Sequence, residues 1–370
     1  MNESKATRYQ RGRRRAQAAG VVCGGVLLVL LAFTPLGRVV AGWSQIETGP
    51  GVFRHTLGLV FYICLFLATW EAALFVALWA MSRAGRGLSA RETYRSLMEG
   101  VFLALPAAFV LAGIVLAAAW VAGAWWWLAA AGAIGAALVA GLHLAPGVVA
   151  RASGATPIER PALVERLGAL ARRIHVPIAS IDALPADSTV TTSAIVAGAG
   201  EHRRVFIADA VLRDWNDEEI SVVVAHELSH HVHHDLWATL VLDVMVLAAG
   251  FWLAGLTRPL LEPAGGAPVG GLDMLPLVAL LASGIWLVAA PVRHALSRWQ
   301  ERRADRFALQ LTGSADAFQA AIRRLAAQHL AEERPSTLTR LFYHRHPSAA
   351  ERLDVAARFR SQAGSEDPAS

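Results

Sequence analysis

Apolar residues run along this chain in blocks longer than a soluble helix or strand requires. Stretches of about twenty residues almost free of charge, the length that crosses a hydrocarbon core, fall at 18–36, 56–81, 100–121, 124–146, 236–256 and 273–293. The first has no small-residue cleavage site and is followed by further spans, so it reads as an anchor. After the fourth block the pattern shortens. Leu163, Val164, Leu167, Leu170, Ala171 and Ile174 recur at helical spacing, and Pro177 closes that run. "IASIDAL" (178–184) alternates like a half-buried strand, while "TVTTSAIVA" (189–197) and "RVFIA" (204–208) flank a glycine-bearing turn and predict a hairpin. At "NDEEISVVVAHELSHH" a helix opens, with Asn216 as cap and Glu219 reaching back from the third position.

These patterns divide the chain into a basic tail at 1–17, a four-span block at 18–150, a polar segment at 151–235 that begins with a linker at 151–161, a hairpin of spans at 236–293, a second polar segment at 294–362 and a disordered tail at 363–370. Composition agrees: 55% of residues are hydrophobic and only 17% charged. The net charge of +5 does not indicate nucleic acid, because the arginines gather at alternate ends of the spans. Arg8, Arg11 and Arg13 to Arg15 precede span one, Arg83, Arg86, Arg91 and Arg95 separate spans two and three, and Arg293, Arg298, Arg302 and Arg303 follow span six. Under the positive-inside rule, both termini and the polar segments are cytoplasmic. Trp125, Trp126 and Trp127 fall at the opposite boundary, where indole rings settle. Cys23 and Cys64 lie inside spans and offer no disulfide framework. Arginine so outnumbers lysine that a GC-rich bacterial genome, and hence an inner membrane, is the expected setting.

The chemistry concentrates in "VVVAHELSHHVHHD" (222–235). His226 and His230 are four apart, so on a helix both imidazoles leave from one face and can share a metal. Glu227, between them, completes the H-E-x-x-H pattern of zinc proteases, in which it is the general base. A catalytic zinc takes three protein ligands and keeps one position open. Glu301 in "SRWQERRAD" (297–305) is the candidate for the third ligand, and Asp305, one turn on, is placed to orient a ligating imidazole. Alone, Glu301 reads sooner as a solvated charge on an arginine-rich face than as a ligand. Zinc lowers the pKa of bound water and polarises the scissile carbonyl, so neither a serine nor a cysteine nucleophile is required.

"AHELSHHVHHD", "SRWQERRAD" and "HPSAAER" follow one another as in the membrane-embedded zinc endopeptidases, the family of the CAAX prenyl proteases and the HtpX quality-control proteases, which this chain resembles over about 155–355. The resemblance implies a mainly α, polytopic membrane protein with about six transmembrane helices and a cytoplasmic α+β zincin-like (gluzincin) catalytic domain. It implies one Zn2+ per chain on His226, His230 and Glu301, supported by Asp305 and by Asp235. His346 matches a histidine that stabilises the oxyanion or binds substrate, and Arg352 an arginine with a similar role. By residue pattern alone, Pro347 begins a surface helix and both side chains are solvated. Where the family carries Asn-Ala in a substrate-pairing strand, this chain has Ser193-Ala194, which keeps the backbone contacts and loses the amide side chain.

The expected substrates are proteins or peptides associated with the bilayer, in HtpX-like quality control or CAAX-type processing. A regulatory sensor-transducer protease and a non-catalytic scaffold are the competing classes. The short outer loops weigh against the first and the intact Glu227 against the second. His231, His233 and His234 read as solvated histidines at the membrane surface. Glu71 and Asp243 sit at membrane depth, where acids face a cavity or a partner; a water-filled chamber and a buried structural pair fit them equally.

Overall fold

The structure, a computed structural model, describes residues 5–37, 39, 90–185, 193–261, 274–328 and 336–365, with separate positions between 60 and 79. The expected span at 56–81 therefore lies largely outside the described residues. In chain order the elements are α1 (Lys5–Phe33), α2 (Ala90–Ala122), α3 (Trp126–Ser153), β1 (Thr156–Pro157), α4 (Pro161–Arg173), β2 (Ser180–Leu184), β3 (Ala194–Ala197), β4 (Arg204–Ala208), α5 (Asp209–Asp214), α6 (Asp217–Val232), α7 (Asp235–Leu261), α8 (Leu275–Thr312), α9 (Ala315–Gln328), α10 (Thr337–Tyr343) and α11 (Ala349–Ser365). Among the described residues, three helical stretches are long and apolar enough to cross a membrane: 106–153, 235–260 and 275–312. A short 3-10 turn at Gly123–Trp125, with Gly123 at φ +51, interrupts the first of them, at the boundary expected between spans three and four. The apolar part of α1, Ala18–Phe33, is shorter than the span expected there.

The chain divides into two units, one of residues 1–135 and 243–290, the other of 136–242 and 291–370. The described residues of the first are helical. Its core joins Val115, Ala119, Trp126, Ala130 and Ile134 to Phe251, Ala254, Met274, Val278 and Ala282. Large apolar side chains such as Met245, Trp252 and Leu256 are exposed on α7, while Gly250 of α7 meets Ala282 of α8. That inversion suits lipid, where small residues let backbones approach. A Cβ on Gly250 would stand 2.6 Å from the Ala282 Cα, so that crossing of α7 with α8 needs glycine.

The second unit holds a four-stranded sheet in the order β1-β2-β4-β3. β2 and β4 are parallel; β1 with β2, and β3 with β4, are antiparallel. The expected hairpin is thus β3–β4, turned through Gly198 and Gly200, both at positive φ. The stretch expected as pure linker contains β1, which pairs Thr156 with Ala183 and Pro157 with Asp182. α6 lies at the centre. One side of it packs Ile220, Val224 and Leu228 against Leu163 and Leu167 of α4 and Val205 and Ile207 of β4. Its other side packs Val222 and Ala225 against Ala308, Leu309, Phe318, Ile322 and Ala356 from α8, α9 and α11. A helix apolar nearly all round is what such a position requires, and "ISVVVA" supplies it. Each fully buried valine, leucine or isoleucine contributes about 1.5–3 kcal/mol, so α6 is held rigidly by its own packing.

Candidate metal centre

The rigid helix positions the chemistry. At its start the Asn216 side chain accepts from the Glu219 N–H (2.8 Å) and the Glu219 carboxylate accepts from the Asn216 N–H (3.1 Å), the expected capping box. Two turns later His226 and His230 leave from one face, their rings 5.2 Å apart and nearly perpendicular. After Val232 the chain bends at His234, whose φ of 56 ends α6. The bend returns Asp235, the first residue of α7, to the histidine face, where its Oδ2 lies 2.9 Å from His230 Nδ1. Arg303 pairs with the same carboxylate. On the other histidine, Nδ1 lies 3.0 Å from Asp305 Oδ1. Each imidazole therefore gives its Nδ1 to a carboxylate and keeps Nε2 for a shared third party.

That third party meets Glu301. His226 Nε2 is 3.2 Å from Glu301 Oε2, and His230 Nε2 is 3.7 Å from Oε1. Donor atoms about 2.0–2.1 Å from a tetrahedral zinc stand about 3.4 Å apart, and the two separations bracket that value. Donor atoms of the three residues lie within 4.8 Å of one another. Glu301 Oε2 is buried and accepts no well-aligned hydrogen bond, although His346 Nδ1 also lies 2.8 Å from it. Close charge without alignment suits an oxygen that coordinates an ion. Two imidazoles and one carboxylate, each imidazole backed by a second carboxylate, fit zinc.

Burial works against a charge on His226, but the carboxylates of Asp305 and Glu301 beside it prevail and its pKa is pushed up to about 10. The proton held there is the one a metal ion would displace, because a ligating imidazole must be neutral. Glu227 is half-buried beside these groups, and burial raises its carboxyl pKa; His226, His230 and His346 oppose that rise and Glu301 adds to it. A carboxylate tuned upward is suited to accepting a proton near neutral pH.

The sequence-expected residues fall into place as follows. His226, Glu227, His230, Asp235, Glu301, Asp305 and His346 converge. Arg352 joins them from behind: its Nε donates to Asp305 Oδ2 at 2.9 Å, so it touches the carboxylate that orients His226. Ala194 begins β3, an edge strand by sheet order, and just before it the Ser193 carbonyl accepts from the Ala208 N–H at 3.0 Å. His231 departs from the solvated position expected. It is buried, its Nε2 lies 3.1 Å from the Val196 carbonyl of β3, and its Nδ1 accepts from Arg203 Nε at 3.1 Å. His233 lies edge-on to Phe307 and 2.9 Å from the Ser229 carbonyl, and His234 is the left-handed residue of the bend. Sequence reasoning missed Arg303, and it missed the pair His294 and Arg298. These two bond backbone carbonyls around α10: His294 Nδ1 to Leu341 (3.1 Å), Arg298 Nη1 to Arg340 and His344 (both 2.8 Å). Asp235 carried the only signal for Arg303, as an acid in need of a counter-charge.

Residues 157–359, over half of the chain, match the model of Peptidase family M48. The chain belongs to that family. Within it, the chain is 28% identical over 209 residues to the uncharacterized metalloprotease YhfN of Bacillus subtilis, covering 54% of this chain and 48% of that protein. It is also 28% identical over 189 residues to a protease HtpX homologue of a Nostoc species, covering 48% of this chain and 62% of the relative. The chain thus spans between about half and three-fifths of these two relatives. Among solved structures, Ste24p of S. mikatae shares the fold, with a TM-score of 0.60 over 86% of this chain and 79% of that one at 16% identity. The motif resemblance read from the sequence and the M48 match coincide.

Proposed function

We propose that this M48 chain is a membrane-bound zinc metalloendopeptidase that hydrolyses peptide bonds of membrane proteins or peptides at the cytoplasmic face. One observation carries the reading: the two Nε2 atoms each face an oxygen of the buried Glu301 carboxylate at zinc-ligand spacing, with Glu227 beside them. His226, His230 and Glu301 hold the ion, one per chain. Bound zinc supplies Lewis acidity, which strengthens water as a nucleophile near neutral pH and polarises a carbonyl. Glu227 accepts the proton of the attacking water and delivers it to the leaving amine. Asp305 and Asp235 hold the two imidazoles in the tautomer that presents Nε2. His346, whose Nδ1 lies 2.8 Å from Glu301 Oε2, stands at the site to donate a hydrogen bond to the oxyanion. Arg352 fixes Asp305 and acts through it. β3, from Ser193-Ala194, pairs with an extended substrate strand.

Both termini and the segments 151–235 and 294–362 face the cytoplasm in this reading, on the arginine distribution. The HtpX homologues among the relatives favour quality control over processing of lipidated peptides. The test compares wild type with Glu227→Gln in detergent, each assayed for bound zinc and for casein cleavage. About one zinc in both, with cleavage in wild type alone, supports the reading. A folded wild type without zinc removes it. Zinc in both and cleavage of only lipidated peptides by wild type keeps the chemistry and replaces the substrate class.

A further inference from the structure

α10 is a seven-residue helix, "TLTRLFY", that no amphipathic pattern announces and, among the described residues, no core cluster claims. Its large apolar side chains face outward: Leu338 is 72% exposed, Tyr343 46% and Phe342 40%. Leu338 and Phe342 are four apart and share a face. The helix is nevertheless firmly placed, because His294 and Arg298 of α8 take the carbonyls of Arg340, Leu341 and His344.

The anchor points set its depth. The last apolar run of the chain ends at Val292, which is 61% exposed, and Arg293 follows. At a rise of 1.5 Å per residue, His294 lies about 3 Å and Arg298 about 9 Å beyond that end along α8. A headgroup layer is about 5–8 Å deep on each side of the hydrocarbon, so the His294 anchor of α10 lies inside that layer and the Arg298 anchor at its outer edge. The composition suits it. Trp299 is 48% exposed and Trp237, at the start of α7, 39% exposed, as indoles at an interface are. Arg340 and Arg345 are exposed on and just after α10, which matches anionic lipid.

We propose that α10 is an interfacial membrane-contact helix: Leu338, Phe342 and Tyr343 enter the headgroup–acyl boundary of an anionic bilayer, with Arg340 and Arg345 at the phosphates. The proposal rests on the membrane reading of α7 and α8 and adds a partner that acts near the metal centre. The carbonyl of His344, held by Arg298, is two residues from His346, whose Nδ1 lies 2.8 Å from Glu301 Oε2. The bilayer therefore helps to hold the segment that brings His346 to the site.

The test uses the full chain, with Cys23→Ala and Cys64→Ala, in vesicles of phosphatidylethanolamine and phosphatidylglycerol. Leu338→Cys or Phe342→Cys carries a bimane label, and Gln310→Cys, exposed farther along α8, is the aqueous control. Expected is strong quenching of the α10 labels by lipids brominated on the acyl chains and at least fivefold weaker iodide quenching than at Gln310. Free iodide quenching of α10 overturns the proposal. Protection from both quenchers also overturns it, because protein rather than lipid then covers the face. This readout needs neither zinc nor activity, so its failure is distinct from failure of the protease reading. In a second arm, Leu338→Glu with Phe342→Glu is expected to lower cleavage at least tenfold at unchanged zinc content, with Leu338→Phe close to wild type. Unchanged cleavage in the doubly substituted protein overturns the link to His346.

Discussion

His226 Nδ1 lies 3.0 Å from Asp305 Oδ1, and Asp305 is almost fully buried, so the ring direction is fixed before any metal arrives and Nε2 is the nitrogen left to give up its proton. Asp305 sits one turn after Glu301 on α8, and so one helix supplies both a proposed ligand and the group that orients another. A shift of α8 relative to α6 would disturb both at once.

Asp305→Asn keeps the shape but removes the charge that makes the far nitrogen a stronger electron donor to a metal ion. Zinc affinity is expected to fall about 10–100-fold, read by competition with a chelator of known affinity. Affinity within twofold of wild type would mean that Asp305 serves packing alone.

Arg352 and Asp305 form a buried charge pair, and breaking it from one side strands the other. Arg352→Gln is expected to cost about 3–5 kcal/mol of stability, measured by denaturant unfolding in detergent. Combining it with Asp305→Asn should recover at least about 1 kcal/mol of that loss. Strict additivity of the two substitutions would show that the pair is not coupled.

His231 ties α6 to the edge strand β3 as a neutral ring, taking a hydrogen bond from Arg203 and giving one to Val196. Burial is the main cause that lowers its pKa, to about 4, from an ordinary value near 6.5. The unfolded chain therefore takes up the proton first as pH falls. The contribution of His231 to stability is complete above about pH 6.5 and declines towards pH 4, by about 3 kcal/mol in all. His231→Gln preserves a donor for Val196 and should lack that slope; His231→Ala should cost about 1–3 kcal/mol at neutral pH. Parallel pH–stability curves for wild type and the glutamine variant would remove this role.

The legible features are those that local sequence encodes. His226 and His230 are four apart on a helix, and Asn216 and Glu219 cap it three apart, so both arrangements follow from helical geometry alone. Glu301 and Asp305 needed a motif in addition, because they reach the site from a different helix. The features that escaped are long-range or very short. His231 meets Val196 across 35 residues, and nothing near either predicts the contact. β1 has two residues and therefore no period, so its stretch reads as linker. α10 has fewer than two full turns, and its apolar side chains are explained by lipid more readily than by a core. The span expected at 56–81 lies largely outside the described residues, and a 3-10 turn lies between spans three and four.

The central claim is the ligand set, and X-ray absorption at the zinc edge of the detergent-solubilised protein tests it most directly. Two imidazoles with the remaining donors oxygen, at about 2.0–2.2 Å and with no sulfur, is the expected shell, and Glu301→Ala should abolish or reshape it. A shell of three or more imidazoles, unchanged in Glu301→Ala, would contradict the assignment and place the ion among His231, His233, His234 or His346 instead.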